Sequence, residues 1–198
     1  MSTAAAKTRY TPEQYLALER KADFKSEYYY GFIYAMSGAS REHNLIAMNL
    51  SREISSQLIG RPCEAYGSDM RVWSITTGSY TYPDLSVVCG EPRFQDGAFD
   101  TLLNPTAIVE VLSPSTEAHD RGDKFAHYRR LESLREYVLV AQNRMQVERF
   151  TRRGDDWVMT ELSWPEDVLR LDSIACAVPL HEVYDRVRFD GENPRVRA

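Results

Sequence analysis

Thr106-Ala-Ile-Val-Glu110-Val-Leu112, which is closed by Ser113-Pro114, is the stretch that decides the fold class of this chain. Apolar residues occupy successive positions, so both faces of the predicted strand would be covered, as in a central strand of a sheet. Glu110 interrupts that run, and an unpaired ionised carboxylate in such surroundings costs several kcal/mol. We therefore expect Glu110 to be paired with a cationic group or to be kept neutral.

A second carboxylate lies in a similar setting, in the run Tyr82-Pro-Asp84-Leu-Ser-Val-Val88. For Asp84 or Glu110 taken alone, a salt bridge to a nearby arginine is an alternative explanation. Two carboxylates on neighbouring strands would repel each other unless they share a cation. Oxygen ligands of this kind suit Mg²⁺ or Mn²⁺. The pair predicts a divalent-metal site with Asp84 and Glu110 as its ligands.

The helix predicted after this strand supplies a lysine. Lys124 and Tyr128 are spaced i and i+4, so they share one helical face. A tight exit at 113–115 would let the helix fold back across the strand end, and we expect the Lys124 ammonium to point at a metal-bound water. The alternatives are an i,i+4 pair of Lys124 with Asp120 and ordinary helix–sheet packing for Tyr128.

The other segments of the chain alternate between helical and extended patterns. Helices are predicted at 11–21, from Ser40 to a stop at Gly60, and at 117–131. Extended segments are predicted at 26–36 (a hairpin), 63–66, 70–75, 80–89, 106–112, 136–141, 145–151 and 157–162, with a short strand and a closing helix at 169–187. This order predicts an α/β or α+β fold, a mixed sheet with helices on its faces.

Length and composition are those of an ordinary globular protein. The 198 residues, of which 43% are hydrophobic and 27% charged, fit one domain. Its core is expected at about 10–187, followed by a polar tail at 188–198. No apolar run is long enough to cross a bilayer, and the first residues hold no apolar segment of signal-peptide length. We expect a cytoplasmic protein with no membrane partner.

The three cysteines, Cys63, Cys89 and Cys176, are isolated from one another in the sequence. An odd number without CxxC spacing argues against a disulfide framework and against a structural zinc site. We expect free, buried thiols in a reducing compartment.

The formal net charge of −5 offers no electrostatic encouragement to a nucleic-acid partner. Arginines do bunch at two places, 129–135 and 144–153. Such bunching is typical of a solvated face, and a phosphate-binding track is the alternative.

Together these motifs resemble a known family. Pro83-Asp84, then Glu110-Val-Leu-Ser-Pro-Ser115, then Asp120-Arg-Gly-Asp-Lys124-Phe125 and Tyr128 resemble the Uma2 family, within the PD-(D/E)XK restriction-endonuclease-like superfamily. The resemblance extends over about 10–187. It implies a restriction-endonuclease-like mixed β-sheet flanked by helices, divalent-metal hydrolysis of phosphodiesters, and Asp84 and Glu110 as metal ligands. The usual Glu-x-Lys pattern has Leu112 at its last position here, and the resemblance suggests that Lys124 takes the lysine's role.

The resemblance also gives roles to residues that the pattern alone does not single out. Glu27 matches the family's N-terminal acidic position, which implies a place beside the metal, and Tyr128 would steady the metal ligands. His43 and Arg121 become candidates for contacting the nucleic acid. One departure is Tyr30, which stands where the family usually has an acidic residue before the hairpin glycine.

The functional hypothesis is therefore a metal-dependent endonuclease that uses Mg²⁺ or Mn²⁺ and acts on nucleic acid, with DNA as the expected substrate. A homodimer is compatible with it, because cutting two strands benefits from two sites. The alternative is an inactive nuclease-like fold that binds nucleic acid or protein without cutting. A glycoside hydrolase would need paired carboxylates but no lysine, and no Gly-x-Ser-x-Gly motif supports a nucleophilic hydrolase.

Overall fold

The computed structural model of the chain describes residues 8–189, so most of the predicted tail lies outside the described residues. The α-helices are α1 (Pro12–Glu19), α2 (Arg41–Leu58), α3 (Glu117–His119), α4 (Phe125–Tyr128) and α5 (Leu180–Val183). A π-helical turn at Asp120–Lys124 joins α3 to α4, and a 3₁₀ turn at Asp172–Ile174 lies between two late strands.

The strands carry most of the architecture. They are β1 (Ser26–Tyr29), β2 (Phe32–Ala35), β3 (Cys63–Gly67), β4 (Arg71–Ser74), β5 (Ser79–Thr81), β6 (Leu85–Cys89), β7 (Thr101–Leu102), β8 (Ala107–Leu112), β9 (Glu136–Ala141), β10 (Val147–Arg153), β11 (Asp156–Leu162), β12 (Val168–Leu171) and β13 (Cys176–Pro179).

The larger sheet is mixed, as the sequence predicts. Its strand order is β11-β10-β9-β8-β6-β3, in which β8 and β9 run parallel and the other neighbours run antiparallel. Every residue of β8 and β9 is buried, which fits two central strands covered on both faces. The predicted α+β architecture, a mixed sheet flanked by helices, is confirmed.

The structure distributes the strands over more than one sheet. A second sheet has the order β2-β1-β5-β4-β7, and β12 pairs with β13 separately. The prediction of one continuous strand at 80–89 is wrong, because β5 and β6 belong to different sheets. Pro83 has no N–H to donate to a ladder, and the chain changes sheet at this point. That change of sheet leaves Asp84 directly before β6.

Helix α2 follows the predicted pattern. The Ser40 side chain caps it by accepting a hydrogen bond from the His43 N–H at 3.1 Å. Its apolar face buries Ile46, Leu50 and Ile54 against the larger sheet. Although α2 is 18 residues long, no helix within residues 8–189 is both long and apolar enough to span a membrane.

The helix predicted at 117–131 is shorter and interrupted. Its α-helical turns end at Tyr128, and the middle of the segment is the π-helical turn Asp120–Lys124. A π-turn widens a helix by one residue and is often found at functional sites. Here the turn carries both Asp120 and Lys124 as buried residues.

The expectation of free thiols is wrong for two of the cysteines. Cys63 on β3 and Cys89 on β6 form a disulfide, and the two are direct register partners with Cα atoms 4.0 Å apart. Cys176 is free and buried. Sequence spacing could not reveal this pairing, because only the antiparallel register of β3 and β6 brings the two thiols together.

Candidate active site

Asp84 and Glu110 lie at adjoining positions on neighbouring strands. The register pairs Leu85 with Val109, so the next position on each strand sets Asp84 opposite Glu110. The Asp84 Oδ2 atom accepts a hydrogen bond from the Val111 N–H at 2.7 Å. The two carboxylates predicted from the sequence as metal ligands are therefore brought together at one edge of the β6–β8 ladder.

Glu110 is the most buried acid of the pair, with 3% of its surface exposed. Its Oε1 atom lies 2.9 Å from Lys124 Nζ and accepts a hydrogen bond from the Tyr128 hydroxyl at 3.0 Å. Among residues 8–189, Oε2 has no hydrogen-bond partner. Burial raises the pKa of Glu110 well above its usual 4.5, and the nearby charge of Asp84 adds to the rise, while Lys124 opposes it.

Lys124 is surrounded by three carboxylates. Its Nζ atom lies 2.9 Å from Glu110, 3.1 Å from Glu27 and 3.5 Å from Asp120. Burial alone would lower the pKa of Lys124, but the attraction of Glu110 and Glu27 outweighs it and raises the pKa well above 10.5. The i,i+4 contact with Asp120 is the longest of the three. Lys124 is thus a charged group aimed at the acids of the site.

Glu27 joins the site from the hairpin. Its Oε1 atom accepts the Tyr82 N–H at 3.0 Å besides contacting Lys124, and Oε2 accepts the Tyr29 hydroxyl at 3.1 Å. The side chain is buried with 8% of its surface exposed. Pattern alone gave no reason to choose Glu27, since only the packing of β1 against the helical segment brings it to the lysine.

Tyr128 contacts the same acid as Lys124. Its hydroxyl donates to Glu110 Oε1 and lies 2.8 Å from Thr81 Oγ1. Burial, with the charge of Glu110 adding to it, raises the pKa of Tyr128 well above 10, so the phenol keeps its proton. Tyr128 is therefore a fixed donor to Glu110 as well as a core residue.

His43 and Arg121 have different surroundings. His43 Nε2 lies 3.3 Å from Asp84 Oδ2, in contact with the acid cluster. The Arg121 guanidinium is not part of that cluster, because it pairs with Glu117 at 2.9 Å and with Glu148. Of the residues predicted for the site, only Arg121 lies outside the group that the structure brings together.

Two residues of the site, Tyr29 and Asp120, were not predicted from the sequence. Tyr29 donates to Glu27, and its place two residues later on the same strand face was the signal available. Asp120 was considered only as a helical partner for Lys124, yet it is buried at 3% exposure beside the other acids. Burial raises the pKa of Asp120, an effect that Lys124 partly offsets.

Comparison with known proteins places these residues in a family. The family model Uma2, described as "Putative restriction endonuclease", matches residues 12–179. The chain belongs to the Uma2 family.

Relatives of this Uma2 chain occur in a cyanobacterium. The chain is 40% identical over 153 residues to the "Uncharacterized protein sll1609" of Synechocystis sp. (strain ATCC 27184 / PCC 6803 / Kazusa), covering 77% of this chain and 86% of the relative. It is 36% identical over 189 residues to the "Uncharacterized protein slr1290" of the same strain, covering 95% and 98%.

A solved structure shares the fold of this Uma2 chain. The protein, from Anabaena variabilis ATCC 29413, is described as "a putative nuclease belonging to DUF820". The two superimpose with a TM-score of 0.75 at 20% identity, over 90% of this chain and 99% of that one.

The acids of this Uma2 site outnumber its cations. Glu27, Glu110 and Asp120 are grouped around the ammonium of Lys124, and Asp84 lies near Glu110. Burial is the main cause of the raised pKa values of Glu110 and Asp120, and the charges of neighbouring acids add to the rise while Lys124 opposes it. A bound cation would lower these pKa values.

The donor set fits a hard divalent cation. Within residues 8–189, no three His, Cys, Asp or Glu side chains form a group that could hold a metal ion by themselves. Mg²⁺ needs fewer, because it keeps several waters and is commonly held by one or two carboxylates together with substrate phosphate. In the described part of the chain, one oxygen of Asp84 and one of Glu110 have no hydrogen-bond partner, so both remain free for such an ion.

Proposed function

We propose that this Uma2 protein is a divalent-metal-dependent endonuclease that hydrolyses nucleic-acid phosphodiester bonds. The observation that carries the proposal is the arrangement of half-buried Asp84, directly before β6, beside buried Glu110 on β8, with the ammonium of Lys124 in contact with Glu110. The description of the family and that of the Anabaena protein support nucleic acid as the substrate.

Asp84 and Glu110 would hold the ion, Mg²⁺ or Mn²⁺. When bound, a divalent ion supplies Lewis acidity, which lowers the pKa of a water ligand and neutralises charge on the phosphate oxygens. Asp84 is held in place by the Val111 N–H and by His43, and Glu110 by Tyr128 and Lys124. These contacts leave the second oxygen of each carboxylate free, which preorganises the pair for a ligand.

Lys124 supplies the positive charge of the protein itself. Its raised pKa keeps it cationic at neutral pH, so it can orient the attacking water by hydrogen bonding or stabilise charge on the phosphate. Glu27 also contacts the ammonium, at 3.1 Å. In this role Glu27 is a positioning residue, and Tyr29 in turn positions Glu27.

The finer assignments are also proposals. We take DNA as the substrate, the cytoplasm as the location and a homodimer as the assembled form. Sedimentation of the purified protein with and without oligonucleotide would measure the last of these.

Purified protein with plasmid DNA and with single-stranded circular DNA provides the test, with Mn²⁺ in one series and EDTA in the other. Wild type should cut only with Mn²⁺, whereas Asp84→Ala and Glu110→Gln should lose activity by orders of magnitude. The matched control is Glu136→Gln, because Glu136 is an equally buried glutamate that accepts hydrogen bonds from Asp172 and Ser173 instead. Equal cleavage by wild type, Asp84→Ala and Glu110→Gln would contradict the proposal.

The same proteins distinguish the second candidate, a nuclease-like fold that binds without cutting. The net charge of −5 and the ion pairs of Arg121 with Glu117 and Glu148 indicate weak phosphate binding. This observation favours the second candidate. Calorimetry with Mn²⁺ separates the two: metal binding that depends on Asp84, without any cleavage, would select the binding module.

A further inference from the structure

Tyr30, at the tip of the β1–β2 hairpin, has an unusual conformation and an unusual exposure. Its φ is +51°, in the left-handed region that glycine and asparagine adopt more readily than an aromatic residue. Its side chain is 70% exposed, so core packing does not explain why a tyrosine stands there. The two-residue hairpin loop accounts for the positive φ of Tyr30 and Gly31, but such loops favour Asn, Asp or Gly, so the turn does not account for a tyrosine.

The exposed ring is connected to the acid cluster by a short series of contacts. The ring of Tyr30 lies 5.2 Å from that of His127, and His127 lies 5.3 Å from Tyr29. Tyr29 then donates its hydroxyl to Glu27. His127 is 2% exposed, and its Nδ1 atom is buried without a hydrogen-bond partner among the described residues. Tyr30 is thus the outer member of an aromatic group, Tyr29, Tyr30 and His127, that borders the candidate active site.

Charge near the site favours stacking over phosphate neutralisation as the means of holding a nucleic acid. Duplex binding relies on many lysine and arginine contacts to phosphate. Arg121, on the helical segment that carries Lys124, is already paired with Glu117 and Glu148, and the chain as a whole is acidic. Proteins that bind single strands add to their phosphate contacts the stacking of bases on aromatic side chains, a contribution that a paired duplex cannot make.

We propose that the substrate is a single-stranded or unpaired segment of nucleic acid, and that one of its bases stacks on Tyr30. This inference rests on the proposed nuclease function only in calling the nucleic acid a substrate. The stacking contact itself concerns binding and does not require cleavage. Unpaired bases are common to DNA and RNA, so the chemistry recognised is an exposed nucleobase face.

The test is fluorescence anisotropy with labelled oligothymidylate, oligouridylate and a duplex of the same length, in EDTA and again in Mg²⁺. A gel of each endpoint reports whether the strand was cut. Wild type should bind the single strands more tightly than the duplex. Tyr30→Ala should weaken single-strand binding by about 5- to 100-fold, the usual effect of losing one stacked base. Tyr30→Trp should bind at least as tightly as wild type.

Phe99→Ala is the matched control. Phe99 is also an exposed aromatic residue, at 65%, with a left-handed φ of +55°, but its ring packs on Phe94 and not on the acid cluster. Its replacement should leave single-strand binding unchanged.

Tyr30→Gly separates binding from folding. Glycine accepts the left-handed φ, so the thermal midpoint should hold or rise while single-strand binding falls as in Tyr30→Ala. Wild-type affinity in Tyr30→Ala, a preference for duplex, or no binding of single strands would each overturn the inference. The EDTA series measures binding without cleavage, so a chain that binds through Tyr30 but does not cut in Mg²⁺ would reject the nuclease and retain the stacking site. The thymidylate and uridylate arms distinguish DNA from RNA.

Discussion

Lys124 Nζ lies 2.9 Å from Glu110 Oε1, and the two side chains are 6% and 4% exposed. The pair links the central strand β8 to the helical segment that follows it. Because Glu27 and Asp120 also contact the ammonium, three acidic side chains share one positive charge. The stability, the metal affinity and the pH dependence of this protein should all depend on this excess of acidic groups around one ammonium.

Lys124→Met should destabilise the fold strongly. Removing the ammonium leaves buried Glu110, Glu27 and Asp120 without a counter-charge, and such losses cost about 3–5 kcal/mol. Urea unfolding at neutral pH measures the free energy of unfolding. Lys25→Met is the matched control, because its partner Asp69 is 95% exposed and such surface pairs contribute about 1 kcal/mol or less.

The double variant Lys124→Met/Glu110→Gln extends that prediction. It removes the ammonium together with the most buried acid, so it should recover part of the stability lost in Lys124→Met. A single variant as stable as wild type would show that the acids are already neutral without the lysine.

The free energy of unfolding in EDTA should decrease as the pH rises above the ordinary pKa of a glutamate, 4.5. The pKa of Glu110 is raised in the folded protein, so this acid still holds its proton at pH values where the unfolded chain has released it. The stabilisation is complete below the unfolded pKa and is lost as the pH rises through the folded pKa. Glu110→Gln cannot ionise, and its pH slope should be smaller by up to about 1.4 kcal/mol per pH unit. Identical slopes would contradict the raised pKa.

Metal binding should release a proton. Glu110 must be ionised to bind a divalent ion, and burial raises its pKa, so the ion competes with a proton for this acid. Calorimetry with Mn²⁺ in buffers of different ionisation enthalpy should report proton release on binding wherever the pH lies below the raised pKa, and affinity should rise with pH. A metal affinity that does not change with pH would contradict the assignment of Glu110 as a ligand.

His43→Ala should weaken metal binding. His43 Nε2 lies 3.3 Å from Asp84 Oδ2, and loss of a group that orients a metal ligand commonly costs about 10- to 100-fold in affinity. Mn²⁺ calorimetry gives the metal affinity, and cleavage kinetics give KM for the nucleic acid. A raised KM with unchanged metal affinity would assign His43 to phosphate contact instead.

Thiol titration should find one free thiol in the unfolded protein when no reductant is present. Cys63 and Cys89 are disulfide-bonded register partners, which leaves Cys176 as the free thiol. Cys63→Ser should lower the free energy of unfolding by about 2–4 kcal/mol, because the bridge restricts the unfolded chain. The reduced wild type is the control. Three free thiols in protein purified without reductant would contradict the bridge.

Much of the fold follows from local patterns. The apolar run around Glu110 predicts a central strand, the spacing in α2 predicts its buried face, and β9 has the bounds that the sequence predicts. These features depend on residues that are close in the chain, so periodicity and capping report them directly. The change of sheet at Pro83 was missed, because two short strands without a turn signal resemble one long strand.

By itself, the sequence determined that the acids Asp84 and Glu110 lie in apolar strands and that Lys124 and Tyr128 share a helical face. Only the tertiary structure decided that Glu27 contacts Lys124, that His43 contacts Asp84, and that Cys63 meets Cys89. The physical reason is distance along the chain. A local pattern records which face of an element a side chain occupies, whereas the partner on another element depends on register and packing, which no single segment contains.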